Sequence, residues 1–464
     1  MKYENGKMNG IRIAYIGGGS RGWAWGLMSD LVYTEDISGE VRLYDIDIEA
    51  ARKNEIIGNM HNSLPEGKSV WTYRAVNTPA EALSGADFVV ISILPGTFED
   101  MASDVHEPEK YGIYQSVGDT TGPGGIVRAM RTVPMFEDIA ENIRKYAPGA
   151  WVINYTNPMS ICTRTLYRVF PGIKAFGCCH EVFGTQEFLA QILKDKFGIK
   201  ERVPREDIKT NVIGVNHFTW ITKASWRGVD LFPVYAEYCR ANPDGTPEGI
   251  TQSIDLNNHF ATAEKVKMDL FKRYGLIAAA GDRHLAEFCE GKWYLDNPER
   301  VREMRFALTP VSWRLEDLNE RLEKSEGLLS GKTPLELHLS GEDGIRQIRS
   351  LCGLEDIVTN VNIPNNGQIP NLPRGAVVET NARFSSDNID PVMAGDVPTN
   401  IYPLIARACG QQEALNEAIA ERNVDAVFEV FANDPLVTCS LADARKLFDT
   451  MCENTKKYLS SFGL

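Results

Sequence analysis

The stretch from Ile11 to Asp47 constrains this chain more than any other. An apolar run, Ile11 to Ile16, leads into Gly17, Gly18, Gly19, Ser20, Arg21 and Gly22; a helix-like segment follows, and Val41 to Asp45 reads as a second strand that closes on an acid. Gly17, Gly19 and Gly22 stand at G-x-G-x-x-G spacing, and Asp45 lies 23 residues beyond Gly22. That spacing predicts a strand–turn–helix that holds a dinucleotide. Gly17 permits the tight turn, Gly19 lets the backbone approach a pyrophosphate expected over Gly19 and Ser20, and Gly22 lets the helix pack close to the strand. The helix N-terminus offers N–H groups to the phosphates. Asp45 is placed to accept hydrogen bonds from the adenosine ribose, which favours NAD over NADP because a 2′-phosphate would meet a like charge.

The rest of the first half repeats the alternation. Strands are expected over 11–16, 41–45, 72–76, 87–93, 150–154 and 174–178, with a helix over 133–146 stopped by Pro148 and Gly149. This order predicts an α/β fold, a Rossmann-type, mainly parallel sheet, with a second α+β domain. The boundary rests on the polar run Lys194 to Arg202, so residues 1–200 are expected to form the NAD-binding domain and 201–464 a domain for substrate, metal and oligomerisation. Residues 210–224 read as strand, 256–274 and 297–326 as helices, 358–384 as strands and loops, and the tail from 400 as helical. Gly118 to Gly125, with four glycines and a proline among its eight residues, is expected to be an irregular ligand-touching loop.

Charge and cysteine usage narrow the function classes. A net charge of −14 argues against nucleic acid or an anionic membrane as partner. No apolar run reaches membrane-spanning length, and Met1 to Gly10 is polar, unlike a signal peptide. Nine cysteines without paired spacing point to a reducing cytoplasm.

Several residues could carry chemistry. Asn154-Tyr155-Thr156-Asn157-Pro158 follows a strand, so Asn157 lies where open α/β sheets bind ligands; it either holds a hydroxyl or the nicotinamide ribose, or forms an Asx-Pro turn. Cys178-Cys179-His180-Glu181 ends the next strand, where Cys179 is either a soft metal ligand or a small buried hydrophobe and His180 a possible acid or base. Asn216-His217, and the run Arg273-Tyr274 through Asp282-Arg283-His284 to Glu287-Phe288, add titratable groups. So do His106, Asp119, Arg128 and Arg131 beside the glycine-rich segment.

Taken in order, these motifs resemble the family 4 glycoside hydrolases, NAD- and metal-dependent glycosidases related in fold to lactate and malate dehydrogenases. The resemblance covers nearly the whole chain: Gly17-Gly18-Gly19-Ser20, Gly122-Pro123-Gly124-Gly125, Asn154-Tyr155-x-Asn157-Pro158, Cys179-His180-Glu181-Val182, Gly214-x-Asn216-His217, Pro364-Asn365-Asn366-Gly367-x-Ile369, Asn371-Leu372-Pro373 and Val377-Val378-Glu379. It implies Mn²⁺ ligands at Cys179 and His217, the acid position at His180, and Gly17, Gly19, Ser20, Gly22, Asp45 and Asn154 around the cofactor. Cys-His-Glu-Val is the variant that looks like the α-galacturonidase branch; α-glucuronidase and α-galactosidase are its alternatives. One departure concerns the base. The galactosidase-like branch tends to end its Ser-Glu-His-Phe-Ala-Glu-Tyr run on a tyrosine, where this chain has Phe288, so His284, Tyr274 or a metal-bound hydroxide is left for the role.

The resemblance implies redox-assisted elimination in place of a carboxylate pair. NAD⁺ takes hydride from sugar C3, the ketone acidifies H2, a base removes it, the C1–O bond breaks, water adds, and NADH returns the hydride. Asn157, Asp119 and Arg283 are the expected substrate contacts. Arg283 is the first candidate for the C6 carboxylate, with Arg128 and Arg131 in reserve; its plain alternative is pairing with Asp282 or Glu287 on a solvated helix face. Partners are expected to be galacturonide oligosaccharides and further copies of the chain. A malate-type dehydrogenase and a non-catalytic NAD-binding subunit are the readings from other classes.

Overall fold

In the computed structural model the side chains of the first strand divide by parity. Ile11, Ile13 and Tyr15 pack on one face with Leu27, Met28 and Leu31, while Ala14 and Ile16 pack on the other with Phe136, Ala140 and Leu166. A strand apolar on both faces must be covered on both, which is the doubly wound arrangement. The structure describes residues 1–251, 262–308 and 310–464.

Six strands build the parallel part: β1 (Lys7–Ile16), β2 (Ile37–Tyr44), β3 (Trp71–Val76), β4 (Phe88–Ile91), β5 (Trp151–Asn154) and β6 (Lys174–Gly177). Their order across the sheet is β3-β2-β1-β4-β5-β6, the dinucleotide-binding order with its switch point between β1 and β4. The helices that matter to the site here are α1 (Trp23–Tyr33), α2 (Ile48–Met60), α3 (Gly122–Tyr146), α4 (Met159–Val169) and α5 (Glu181–Phe197).

Beyond residue 200, β7 (Lys209–Val215) and β8 (Phe218–Trp226) form an antiparallel hairpin, joined by β9 (Ile277–Ala278). The single strand expected over 210–224 is therefore two, folded back at Asn216-His217. Then come α6 (Lys265–Tyr274), α7 (Asp282–Phe288) and α8 (Val311–Leu329). Strands β10 (Ile357–Pro364), β11 (Val377–Ser385) and β12 (Asn388–Pro391) return to the first sheet, β10 pairing antiparallel with β6 through Asn362 and Gly177. The sheet thus contains strands from both halves of the chain. Helices α9 (Tyr402–Ala420), α10 (Val424–Ala432) and α11 (Leu441–Thr455) pack with the β7–β8 hairpin and α3 around a core that includes Phe218, Trp220, Val127 and Phe448.

Three expectations about elements need correction. Gly122 to Gly125 are not loop: they are the first turn of α3, which starts well ahead of residue 133. Pro123 has no N–H to lose in a first turn, and a side chain at Gly125 would sit 2.4 Å from the Thr120 carbonyl carbon. Only Gly118 to Thr121 stay irregular. The helix expected over 297–326 is broken into Pro298–Glu303 and α8, with Pro310 capping the second piece. The expected helix 256–274 lies partly outside the described residues, and its described part begins at Lys265. No helix among the described residues is long and apolar enough to cross a membrane.

Candidate active site

Gly17 turns the chain after β1 with φ of +95°, and a Cβ there would lie 2.0 Å from the Ser92 carbonyl oxygen. Asp45 follows β2 and faces the loop. Its Oδ2 accepts from the Gly19 N–H at 2.8 Å and its Oδ1 from the Asp47 N–H at 2.9 Å. Each oxygen keeps lone pairs for a ribose hydroxyl. Burial pushes the carboxyl pKa up, and the two N–H donors pull against that.

The phosphate donors differ from expectation. The Gly19 N–H is bound to Asp45 and the Ser20 N–H to the Gly17 carbonyl, so neither points at a ligand. The N-terminus of α1 has no side-chain cap, which leaves its first N–H groups to a pyrophosphate. Gly22 does not serve close helix–strand packing either: a Cβ there would meet the Arg321 guanidinium, with no strand atom within 4 Å. The close approach to a strand falls instead at Gly18 of the turn, whose Cβ would lie 2.7 Å from Leu43 Cβ. Buried Asn54 of α2 holds the loop, donating to the Gly18 and Ser20 carbonyls while accepting from Trp25 Nε1. Asn154 is a correction as well. It is fully buried, and among the described residues its side chain bonds within its own turn, its amide nitrogen to the Thr156 carbonyl and Met159 Sδ and its oxygen accepting from the Thr156 N–H, so it shapes the β5–α4 turn.

Beyond the carboxyl end of the sheet three chain segments converge. Asp119 from the loop before α3, His217 from the β7–β8 turn and His284 from α7 place one donor atom each within 4.8 Å of one another. The two imidazoles stack with centroids 4.1 Å apart. Thr120 Oγ1 donates to Asp119 Oδ1 at 2.7 Å and lies 3.2 Å from His217 Nδ1. With its proton committed to Asp119, that hydroxyl accepts from Nδ1–H, which leaves a lone pair on His217 Nε2. Burial and the neighbouring His284 push the His217 pKa down to about 3, so the ring is neutral, the form that binds metals. His284 Nε2 lies 3.5 Å from Glu181 Oε1, and its buried Nδ1 has no hydrogen-bond partner among the described residues. Burial works against an ionised Asp119, but Arg128 and His284 outweigh it and hold its carboxyl low. A ring nitrogen from each of His217 and His284, the latter's Nδ1 without a partner among the described residues, and the Asp119 carboxylate fit a divalent cation of the Mn²⁺ or Zn²⁺ kind.

Cys179 is buried, and no group of three that includes it closes to that spacing among the described residues. Burial, with Glu379 and Glu181 nearby, keeps its thiol protonated. His284, expected as a base, stands in the ligand-like cluster instead. Tyr274 does not reach it: the ring packs edge-on against Trp220 at 5.7 Å, on the core side. His180 caps α5 and is half exposed; its Nδ1 pairs with Glu342 Oε1 at 2.7 Å, and that bond raises its pKa to about 9. Asn157 donates to Asp119 Oδ2 at 3.2 Å, while its buried Oδ1 has no partner among the described residues.

The arginines sort themselves. Arg131 is neutralised by Asp104, both side chains wholly buried, and also donates to the Pro95 carbonyl, so it is removed from the carboxylate candidates. Arg128 is buried and donates to the Asn157 carbonyl at 3.3 Å. Arg283 is not on a solvated face: its Nη2 donates to the Ser116 carbonyl at 2.8 Å, and burial and nearby Arg314 push its pKa down to about 10. Glu287 instead accepts from the Val117 and Gly118 N–H groups. Residues the sequence reading missed are Asn54, Thr120, Glu342 and Arg314. None carries a local pattern, since each acts on a segment remote in sequence.

Comparison with known proteins places the chain in a family. The family 4 glycosyl hydrolase model matches residues 12–195, and the model for the C-terminal domain of family 4 glycosyl hydrolases matches 212–437. The α-galacturonidase of Thermoanaerobacterium saccharolyticum is 59% identical over 464 residues, covering 100% of both chains. A solved Bacillus subtilis protein described as a candidate glucosidase superposes with a TM-score of 0.90 at 50% identity, covering 96% of this chain and 100% of that one. The fold is shared, at 20% identity and a TM-score of 0.80, with a 6-phospho-α-glucosidase from gut microorganisms solved with NAD and Mn²⁺, over 97% of this chain and 99% of that one. With the nucleotide turn, the convergent histidines and both matched regions in one unbroken order, the chain belongs to the family 4 glycosyl hydrolases.

Proposed function

We propose that this chain is an α-galacturonidase that uses NAD and a divalent cation, with Mn²⁺ the best fit. The observation that carries the reading is full-length identity of 59% to an enzyme of that name. Its own residues support it. A galacturonide brings a C6 carboxylate into a pocket, and burying that charge unpaired costs several kcal/mol, on the order of a lost ion pair. Arg128, Arg283 and Arg314 all act on the charge of Asp119. Arg283 is the proposed carboxylate holder, because its planar fork suits two oxygens.

Bound at these sites, NAD would supply hydride transfer and a divalent cation would supply Lewis-acid polarisation of the sugar hydroxyls. Asp45 accepts the ribose hydroxyls and the α1 N-terminus meets the phosphates. Asp119, His217 and His284 hold the cation; Cys179 is the further candidate donor, its proton displaced on binding. Asn157 Oδ1 accepts a sugar hydroxyl. His180 keeps Nδ1 on Glu342 and presents Nε2–H to the leaving oxygen, a cation at neutral pH and so a competent proton donor. Nine cysteines, all free, fit the cytoplasmic part of the reading.

The test is turnover of p-nitrophenyl α-galacturonide with catalytic NAD⁺ and Mn²⁺. Many turnovers per NAD without net NADH are expected. Stoichiometric NADH from a hydroxy acid would instead favour the malate-type alternative. Arg283→Gln should lower kcat/KM for the galacturonide about 100-fold more than for the matching galactoside. Equal losses would assign Arg283 a structural part.

A further inference from the structure

Glu379 is a buried carboxylate that the scheme above does not use. It lies in β11, 1% exposed, and no Lys, Arg or His comes within ion-pair distance of it among the described residues. Two amides hold it. Asn216 Nδ2 donates to Oε2 at 3.1 Å, and Asn360 Nδ2 donates to Oε1 at 2.7 Å. The same Asn360 nitrogen also donates to the Cys179 carbonyl oxygen at 3.2 Å.

Those two contacts lead to two different segments. Asn216 immediately precedes His217 in the β7–β8 turn, and Cys179 follows β6 of the other sheet. β11 stands next to β10, which pairs with β6, so Glu379 occupies the seam where the hairpin meets the parallel sheet. A buried carboxylate without a counter-charge is unfavourable unless its bonds and surroundings compensate. Burial pushes the Glu379 pKa up to about 7, and the amide donors of Asn216 and Asn360 pull against that, so what the residue supplies is a pair of fixed acceptor oxygens.

We infer that Glu379 is a positioning residue for the cation site: its two oxygens lock the His217 turn to the Cys179 segment and set their separation. The inference rests on the proposed cation at His217. It adds a residue that touches neither metal nor sugar. Partners of this kind alter metal affinity when removed, even though no metal–ligand bond is lost.

Mn²⁺ and NAD binding to the full-length protein, measured by titration calorimetry, give the test. Glu379→Ala should weaken Mn²⁺ binding about 10- to 100-fold and leave the NAD Kd within about twofold. Glu379→Gln should recover most of the Mn²⁺ affinity, because the Asn216 amide can turn its oxygen toward the new N–H. If Glu379→Ala does not fold, Asn360→Ala removes one arm only and should still weaken Mn²⁺ about 10-fold. Unchanged Mn²⁺ affinity in these variants would overturn the inference. So would parallel loss of Mn²⁺ and NAD binding, which marks a general packing role. Failure of the unmodified protein to bind Mn²⁺ would instead overturn the cation reading beneath it.

Discussion

The proposed nucleotide end and the proposed sugar end of this molecule are built in opposite ways. At the nucleotide end, Gly17, Gly19, Gly22 and Asp45 come from one strand–helix–strand unit, and the functional contacts are local: Asp45 bonds Gly19 across the turn. At the sugar end, Asp119, His217 and His284 come from a loop, a hairpin turn and a short helix far apart in sequence. The first is specified by backbone conformation and survives as a spacing. The second is specified by tertiary packing and has no spacing to read.

This contrast can be broken most forcefully at His217. His217→Ala should lower kcat/KM by ~10³-fold, about 4 kcal/mol, while NAD affinity stays within about twofold. Chelation and dialysis of the unmodified protein should mimic it, and Mn²⁺ should restore only the unmodified enzyme. Loss of NAD binding in the variant would show that the two ends are not separable. Asp45→Ala is the reciprocal change. Removing hydrogen bonds to a ribose should weaken NAD by about 1–3 kcal/mol, read by calorimetry, with Mn²⁺ affinity retained. An unchanged NAD Kd would move the ribose site elsewhere.

The smallest expected effect concerns Glu287, under the sugar end. Burial raises its pKa to about 8, and the Val117 and Gly118 N–H groups only partly offset that. The folded chain then holds a proton that the unfolded chain releases, so stability falls as pH rises from the ordinary Glu value toward 8. Glu287→Gln keeps the neutral acceptor and should flatten that decline, leaving Tm on the order of 2 °C above the unmodified protein near pH 8. An identical slope in both proteins would show that Glu287 does not titrate there.

How far the sequence speaks follows the same division. All six parallel strands were readable, the inner ones as apolar runs buried on two faces and the outer β2 and β3 by alternation, as where Trp71 and Tyr73 are buried and Thr72 and Arg74 exposed. The α3 start was not, because Gly122, Gly124 and Gly125 have poor helix propensity and only close packing explains them: Gly122 against Gln115 and Leu436, Gly124 against Asp104, Gln115 and Gly118, and Gly125 against Thr120. The hairpin at Asn216-His217 was hidden because both strands are apolar and no Gly or Pro marks the turn. At the site, His217 and Asp119 were singled out by residue type and neighbourhood, but their meeting with His284 depends on α7 docking beside the hairpin. Asn154 reads as a cofactor contact in the sequence, while its side chain in the structure bonds within its own turn, a difference that local sequence cannot distinguish. Arg131 was undone by Asp104, 27 residues away.

The three glycines of the nucleotide turn are usually given equal weight, yet here they differ in what stands against them. At Gly17 the obstacle is main chain, the Ser92 carbonyl, and at Gly19 it is the side chains of Ala50 and Asp45. At Gly22 it is the tip of one arginine, a group that can swing aside. A mutational library across Gly17 to Gly22 should therefore be depleted unevenly: nearly empty at Gly17, sparse at Gly19, and open to Ala and Ser at Gly22. A search pattern that demands all three glycines would pass over working relatives whose only departure is at the third.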